Sequence, residues 1–256
     1  MTALVHYSVS GNVARLTLDS PHNRNALSTA LVEQLLQGFS DAADEPGVRV
    51  VVLAHTGGTF CAGADLSEAT GQDPGEIAVG RAREMTKLLR AILELPVPVI
   101  GAIDGHVRAG GMGLVGACDL VVAGPKSTFA LTEARIGVAP SIISLTLLPK
   151  LAPRAAGRYF VTGEKFGAEE AAEIGLITQS ADDVEVAVAA LAGEIAKGSP
   201  QGLATSKALT TASILRGFDR DAEDLTRQSA HLFVSDEARE GMMAFLQKRP
   251  PSWVTG

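Results

Sequence analysis

The chain has 256 residues, of which 46% are hydrophobic and 20% are charged, and this balance favours a folded globular protein over a disordered one. Its net charge of −7 argues against nucleic-acid and membrane partners, because the overall field repels both polyanions and anionic lipid. No run of about 18 apolar residues occurs, and no basic segment precedes an apolar one at the N-terminus, so we expect neither a membrane span nor a secretion signal.

The cysteines and histidines restrict the kinds of site that we expect. Cys61 and Cys118 lie far apart in Gly/Ala-rich segments, which favours a reduced, cytoplasmic compartment over a disulfide framework. For neither cysteine does a sequence motif place a histidine or an aspartate that would activate it as a nucleophile. The five histidines are dispersed without metal-ligand spacing, so we expect no metal site.

The predicted elements begin with a hairpin of two strands that turns at Gly11-Asn12. A helix follows from the N-cap Ser28 and ends before Pro46, and the run VRVVVLAH indicates a buried strand. The order then repeats, with a helix at 74–95, a strand PVPVIGAI, a short helix from Gly110 and a strand DLVVAG. This alternation predicts an α/β fold with a largely parallel sheet.

After residue 140 the pattern becomes mainly helical, with helices predicted at 141–148, 153–161 and 168–174. Apolar residues continue at helical spacing to the end of the chain, at Leu203, Leu209, Leu225, Leu232 and Phe245. We therefore divide the chain into a core domain, 1–198, and a C-terminal helical region, 199–256. The apolar face of that region needs another surface, which predicts oligomerisation.

The segment RAGGMGLVGACD contains Gly111-x-Gly113-x-x-Gly116, and Glu133 follows Gly113 by twenty residues. A dinucleotide-binding turn needs its first glycine at the tip of a strand, whereas here the residues DGHVRAG intervene. We interpret the glycines as sites of close backbone approach at a helix start, where free N–H groups bind anions. A second loop, GGTFCAGADLSEA, also follows a strand, and the two loops could meet at one carbonyl oxygen.

Four segments together resemble the crotonase, or enoyl-CoA hydratase/isomerase, family. They are TFCAGADLSEA, GHVRAGGMGLVGACDLVVAG, FALTEARIGVAP and SDEAREGMMAFLQKRPPSW, and the resemblance extends from PHNRNALS to the C-terminus. It implies a crotonase-like spiral of ββα units with a C-terminal helical trimerisation region, assembled as a homotrimer or a dimer of trimers. It also implies an acyl-CoA substrate, with coenzyme A present as part of the thioester and no tightly bound cofactor.

The resemblance assigns the site residues as well. Ala64 and Gly110 match the two backbone amides of the family's oxyanion hole, and Glu133 matches the second of two catalytic glutamates. The first of those glutamates, three residues after the oxyanion glycine, is replaced here by Gly113. The residues that match the family's coenzyme A contacts are Arg24, Ala26, Ala62, Asp65, Leu66, Phe245 and Lys248, the last two in a tail that reaches a neighbouring subunit.

The single retained glutamate leaves three functions open. The first is an enoyl-CoA hydratase in which Glu133 is the one acid/base, and the others are a Δ3,Δ2-enoyl-CoA isomerase and a non-catalytic CoA-thioester-binding protein. Gly113→Glu is expected to increase hydration if the site has room for the side chain. Arg108 is either a structural arginine or a partner for a carboxylate on the acyl group, and His106 is either scaffold or catalyst.

Several coenzyme A assignments also have simpler readings. Arg24 could be a solvated loop residue, and Asp65 could be only a helix N-cap. Phe245 could be an aromatic core residue and Lys248 a free surface lysine.

Overall fold

A computed structural model of the chain describes residues 2–65, 68 and 74–254. In chain order its strands are β1 (Val5–Ser10), β2 (Val13–Leu18), β3 (Val50–His55), β4 (Thr59–Cys61), β5 (Val99–Ile103), β6 (His106–Arg108), β7 (Leu120–Ala123), β8 (Thr128–Ala130), β9 (Phe166–Gly167) and β10 (Gln179–Ser180). The helices are α1 (Thr29–Asp44), α2 (Pro74–Glu94), α3 (Gly110–Ala117), α4 (Ser144–Leu147), α5 (Pro153–Thr162), α6 (Ala168–Glu173), α7 (Val184–Ile195), α8 (Pro200–Phe233) and α9 (Asp236–Leu246).

These strands form two sheets, a large one in the order β1-β2-β3-β5-β7-β10 and a small one in the order β4-β6-β8-β9. β1 and β2 form the predicted antiparallel hairpin, and the large sheet is parallel from β2 to β10. In the small sheet β4, β6 and β8 are parallel, and β9 is antiparallel to β8.

The chain moves from the large sheet to the small sheet and then into a helix, as in β3-β4-α2 and β5-β6-α3. The next pair, β7-β8, leads into a 3₁₀ turn (Glu133–Ile136). Successive ββα units of this kind wind into a spiral. The predicted α/β class, the ββα arrangement and the helical C-terminal region are therefore confirmed.

The large sheet is buried on both faces, which explains its continuous apolar strands. Along β3, Val51 and Leu53 pack in the main core with α1 and α2, whereas Val50 and Val52 face the other side. That second side is covered by α7 through residues that include Val188. A strand between two apolar layers cannot alternate with polar residues, and VVVLAH does not.

The long helix α8 packs along α2 and is anchored by a buried lysine. The Nζ of Lys207 lies 2.7 Å from Oδ2 of Asp119 and donates to the carbonyls of Ile92 (2.8 Å) and Val97 (3.1 Å). Removing either partner of such a pair would leave an uncompensated buried charge. The predicted boundary between residues 198 and 199 falls between α7 and α8, and the division into two domains stays a prediction.

Several local predictions differ from the structure. The helix predicted at 141–148 is shorter, because residues 141–143 form a turn before α4. The short strands β4, β6 and β8 and the helix α7 had not been predicted. Within the described part of the chain, no helix is long and apolar enough to cross a membrane.

Candidate active site

The small sheet brings the three candidate catalytic positions to one edge. Ala64 follows the end of β4, Gly110 follows the end of β6 and Glu133 follows the end of β8. Because β4, β6 and β8 are parallel neighbours, the segments that leave their carboxyl ends emerge side by side. Such edges are where open α/β sheets commonly hold ligands.

The first loop is fixed by pairing with the segment before α1. The amide of Leu27 donates to the carbonyl of Gly63 (2.7 Å), and the amide of Asp65 donates to the carbonyl of Leu27 (3.2 Å). Together these bonds form a parallel bridge between Leu27 and Ala64. Because a parallel bridge uses the residues on either side of Ala64, the N–H of Ala64 itself points away from Leu27.

The second loop leads directly into α3. Gly110 is the first helical residue, so its N–H has no acceptor inside the helix. Ala109 precedes it at φ 46°, a backbone conformation that an alanine adopts only at a cost. In the described residues, no hydrogen bond from the amide of Ala64 or Gly110 to a protein acceptor is present. As far as the described residues show, both donors point to no protein acceptor and can bind a ligand.

The two loops are in direct contact, and glycine makes the contact possible. A Cβ on Gly63 would lie 2.8 Å from the Cβ of Ala109 and 3.1 Å from the nitrogen of Gly110. A Cβ on Gly110 would lie 3.4 Å from the Cα of Gly63. Two unpaired amides on touching loops can donate to the same carbonyl oxygen, which is the arrangement needed to stabilise an enolate.

Glu133 is a buried carboxyl group with an unusual pKa. Glu133 is the first residue of the 3₁₀ turn after β8, and it is 8% exposed. Within the described residues, its Oε2 has no hydrogen-bond partner. Burial raises the pKa of Glu133 to about 7. A hydrogen bond from its own backbone lowers the pKa, but by less than burial raises it. A carboxyl group with a pKa near neutrality can both accept and return a proton.

The same burial makes Glu133 costly to the fold. The folded protein holds the Glu133 proton more tightly than the unfolded chain, whose glutamate titrates near 4.5, so the contribution of Glu133 to stability is fully present below pH 4.5 and is lost as the pH rises through about 7. We expect Glu133→Gln to raise the free energy of unfolding by about 3 kcal/mol at pH 8.5 and by little at pH 4.5. Urea unfolding at both pH values measures this difference, and an equal gain at both would contradict it.

The predicted coenzyme A residues near the N-terminus lie beside the first loop. The carbonyl of Arg24 accepts from the amide of Ala62 (3.1 Å), the Arg24 side chain is exposed, and Ala26 is buried. The side chain of Asp65 accepts a hydrogen bond from Nδ2 of Asn23 (2.9 Å). Hydrogen bonds thus join the segment around Arg24 to the first loop.

The remaining predicted contacts are not brought to this loop. Leu66 lies outside the described residues. Phe245 is 63% exposed near the end of α9, and Lys248 follows that helix with φ 53°. In the part of the chain that the structure describes, no hydrogen bond or ion pair links either one to residues 24–27 or 61–65. Their roles stay predictions.

The contacts of Arg108 support its interpretation as a structural arginine. Its guanidinium donates to the carbonyls of Val107 (2.7 Å) and Thr128 (2.6 Å) and to Oγ1 of Thr128 (2.8 Å), and burial lowers its pKa. Arg108 therefore ties β6 to β8 just before the second loop. Nδ1 of His106 lies 2.9 Å from the same Thr128 hydroxyl, and His106 is exposed on the sheet.

The cysteines are buried thiols. Burial raises the pKa of Cys61 and of Cys118 to about 12, so neither is a thiolate at neutral pH. Cys61 instead supports the first loop, since its Sγ accepts from the amide of Gly63 at 3.5 Å.

Three supporting residues were not found from the sequence. Asn25 is fully buried at φ 53°, and its side chain bonds the amide of Ser20 and the carbonyls of Thr56 and Thr59. Arg81 of α2 donates to the carbonyl of Asp65. Because asparagine tolerates a positive φ, Asn25 in HNRNALS was a weak indication of a turn. No feature of the sequence indicated the supporting role of Arg81 or the strained backbone of Ala109.

The chain matches the family described as enoyl-CoA hydratase/isomerase over residues 8–256. It is 32% identical to enoyl-CoA hydratase EchA19 of Mycobacterium tuberculosis over 95% of this chain and 93% of that protein. It is 30% identical to carnitinyl-CoA dehydratase of Proteus mirabilis, over 99% of both chains. The crystal structure of an enoyl-CoA hydratase from Mycobacterium avium is 67% identical, with a TM-score of 0.94 over 99% of this chain and 100% of that one.

Proposed function

Because the chain belongs to the enoyl-CoA hydratase/isomerase family, we propose that it is an enzyme that converts an unsaturated acyl-CoA through an enolate, with Glu133 as its single acid/base. The observation that carries this proposal is the presence of two touching loops, whose Ala64 and Gly110 amides have no acceptor among the described residues, together with one buried carboxyl group whose pKa lies near 7. The amides of Ala64 and Gly110 would stabilise the thioester oxygen as negative charge develops on it.

The reaction we propose first is hydration of a 2-enoyl-CoA, the activity in the names of several relatives. The water oxygen bonds to Cβ, the electrons of the double bond move into the thioester oxygen, and Glu133 accepts the proton that the water loses. Glu133 then returns a proton to Cα as the enolate collapses. The product carries hydroxyl on Cβ and hydrogen on Cα, so one water has been added.

The second candidate is isomerisation of a 3-enoyl-CoA to a 2-enoyl-CoA, and Gly113 favours it. Here Glu133 removes a proton from Cα, the double bond shifts through a dienolate, and Glu133 gives the proton to Cγ. One carboxyl group is sufficient for this reaction, because a single proton moves between two carbons.

For the substrate, we propose that coenzyme A binds as part of the thioester along residues 24–27 and 62–65. Arg24 would then supply local positive charge for the phosphates of coenzyme A, against an overall net charge of −7. We also propose a cytoplasmic homotrimer or dimer of trimers. The exposed apolar residues Met243, Phe245 and Leu246 on α9 support association through this tail.

The test is turnover of two kinds of substrate by the purified protein. Crotonyl-, methylcrotonyl- and methylglutaconyl-CoA report hydration by loss of the enoyl-thioester absorbance, and 3-hexenoyl-CoA reports isomerisation by its gain. Conversion of any of them supports the proposal, and the ratio separates the two reactions. Tight binding of coenzyme A without conversion of any substrate would instead indicate a non-catalytic binding protein.

A further inference from the structure

Position 113 lies where a side chain would face the first turn of α3. Gly113 is the fourth residue of this helix, and helical side chains lean towards the N-terminus of their helix. A side chain at this position would therefore extend towards the amide of Gly110. A carboxylate placed there could hold a water near the acyl group.

That space is already filled by hydrocarbon. A Cβ on Gly113 would lie 2.5 Å from Cγ2 and 3.2 Å from Cβ of Ile143, and 3.3 Å from Cδ1 of Leu89. Ile143 is 4% exposed and Leu89 is fully buried. The room that Gly113→Glu would need in order to increase hydration is therefore absent from the chain as it stands, since the first atom of the new side chain already meets Ile143.

The backbone of Ile143 is also held against α3. Its carbonyl accepts from the amide of Leu147 (3.0 Å) and from Oγ1 of Thr146 (3.1 Å). The same Thr146 hydroxyl lies 3.2 Å from the carbonyl of Gly113. The backbone of Ile143 and that of Gly113 are thus held together through one side chain.

We infer that Ile143, backed by Leu89, determines the reaction specificity of this site, by filling the volume in which a second carboxylate would hold water. The filled volume leaves Glu133 as the only carboxylate of the pair to activate water, and so lowers the rate of hydration relative to proton transfer between carbons. This inference rests on the proposed function, since it concerns the partition between its two candidate reactions.

The experiment combines substitutions at positions 113 and 143. Gly113→Glu, Ile143→Ala and their double variant are compared with Ile142→Ala and with Ile142→Ala/Gly113→Glu. Ile142 is a matched control, because it has the same side chain and is 5% exposed, yet it is not among the nearest neighbours of a Cβ at position 113. Each variant is assayed for hydration of crotonyl-CoA, isomerisation of 3-hexenoyl-CoA and thermal unfolding.

Gly113→Glu alone is expected to lower the melting temperature and to leave hydration no faster than in the wild type. Adding Ile143→Ala is expected to raise hydration at least tenfold over Gly113→Glu alone, whereas adding Ile142→Ala is not. An equal gain from both additions, or no gain in a folded Ile143→Ala/Gly113→Glu protein, would overturn the inference.

If the double variant does not fold, Ile143→Ala alone decides the question. Its ratio of hydration to isomerisation is expected to rise at least threefold, with no change for Ile142→Ala, and an unchanged ratio would overturn the inference. The wild type separates this failure from failure of the proposed function. A wild type that converts none of the four acyl-CoA substrates named above refutes the proposed function, whereas an active wild type with an unchanged ratio refutes only the role of Ile143.

Discussion

Replacing Glu133 with glutamine is expected to lower both hydration and isomerisation by about 10²- to 10⁴-fold at pH 7.5, the usual contribution of a general acid/base. Glutamine keeps the shape of the side chain and cannot exchange a proton. Within the described residues, Oε2 of Glu133 has no hydrogen-bond partner, so no neighbouring side chain there shares its proton. Initial rates with crotonyl-CoA and 3-hexenoyl-CoA measure the effect.

Glu173→Gln is the matched control, since Glu173 is exposed on α6 and outside the site. Its rates should equal those of the wild type. Affinity of Glu133→Gln for coenzyme A should also be unchanged, because the proposed coenzyme A contacts lie on other segments. If Glu133→Gln keeps a tenth or more of the wild-type rates, Glu133 is not the acid/base of the reaction.

Gly63→Ala is expected to lower kcat by about 10²- to 10³-fold, as when one oxyanion donor is lost. The new Cβ would lie 2.8 Å from the Cβ of Ala109 and 3.1 Å from the nitrogen of Gly110, and the two loops must separate to relieve this contact. Gly63 also has φ 95°, which an alanine adopts only with strain. Steady-state kinetics at a temperature where the variant remains folded measure the loss.

Gly58→Ala serves as the comparison for Gly63→Ala. Gly58 lies three residues after the end of β3, and a Cβ on it would meet nothing within 4 Å. The large loss should therefore be confined to Gly63→Ala, mainly in kcat rather than in KM. Equal rates for the two alanine variants would show that contact between the loops is not needed for catalysis.

The sequence predicted the large sheet well and the small sheet poorly, for a physical reason. The strands β3 and β5 are buried on both faces, so their apolar runs are continuous and easy to recognise. The strands β4, β6 and β8 have only three residues each, which is too short for any periodicity to show. Their carboxyl ends nevertheless carry the candidate site.

The site itself was predictable only in part. The match of motifs to a family identified Ala64, Gly110 and Glu133 as candidates, but it could not show that Glu133 is buried with no partner for Oε2 among the described residues. The filling of the space beside Gly113 depends on Ile143, thirty residues away in sequence. Such contacts arise from the packing of separate elements, so local sequence patterns do not predict them.

The most direct test of the account is exchange of the Cα protons of butyryl-CoA with D₂O, followed by NMR. This thioester is saturated, so exchange reports enolate formation alone, without addition of water. The wild type should exchange these protons at a rate that rises with pH around a midpoint near 7, where the Glu133 carboxyl ionises, and Glu133→Gln should not exchange them. Exchange that is absent from the wild type, or equally fast in Glu133→Gln, would contradict the account.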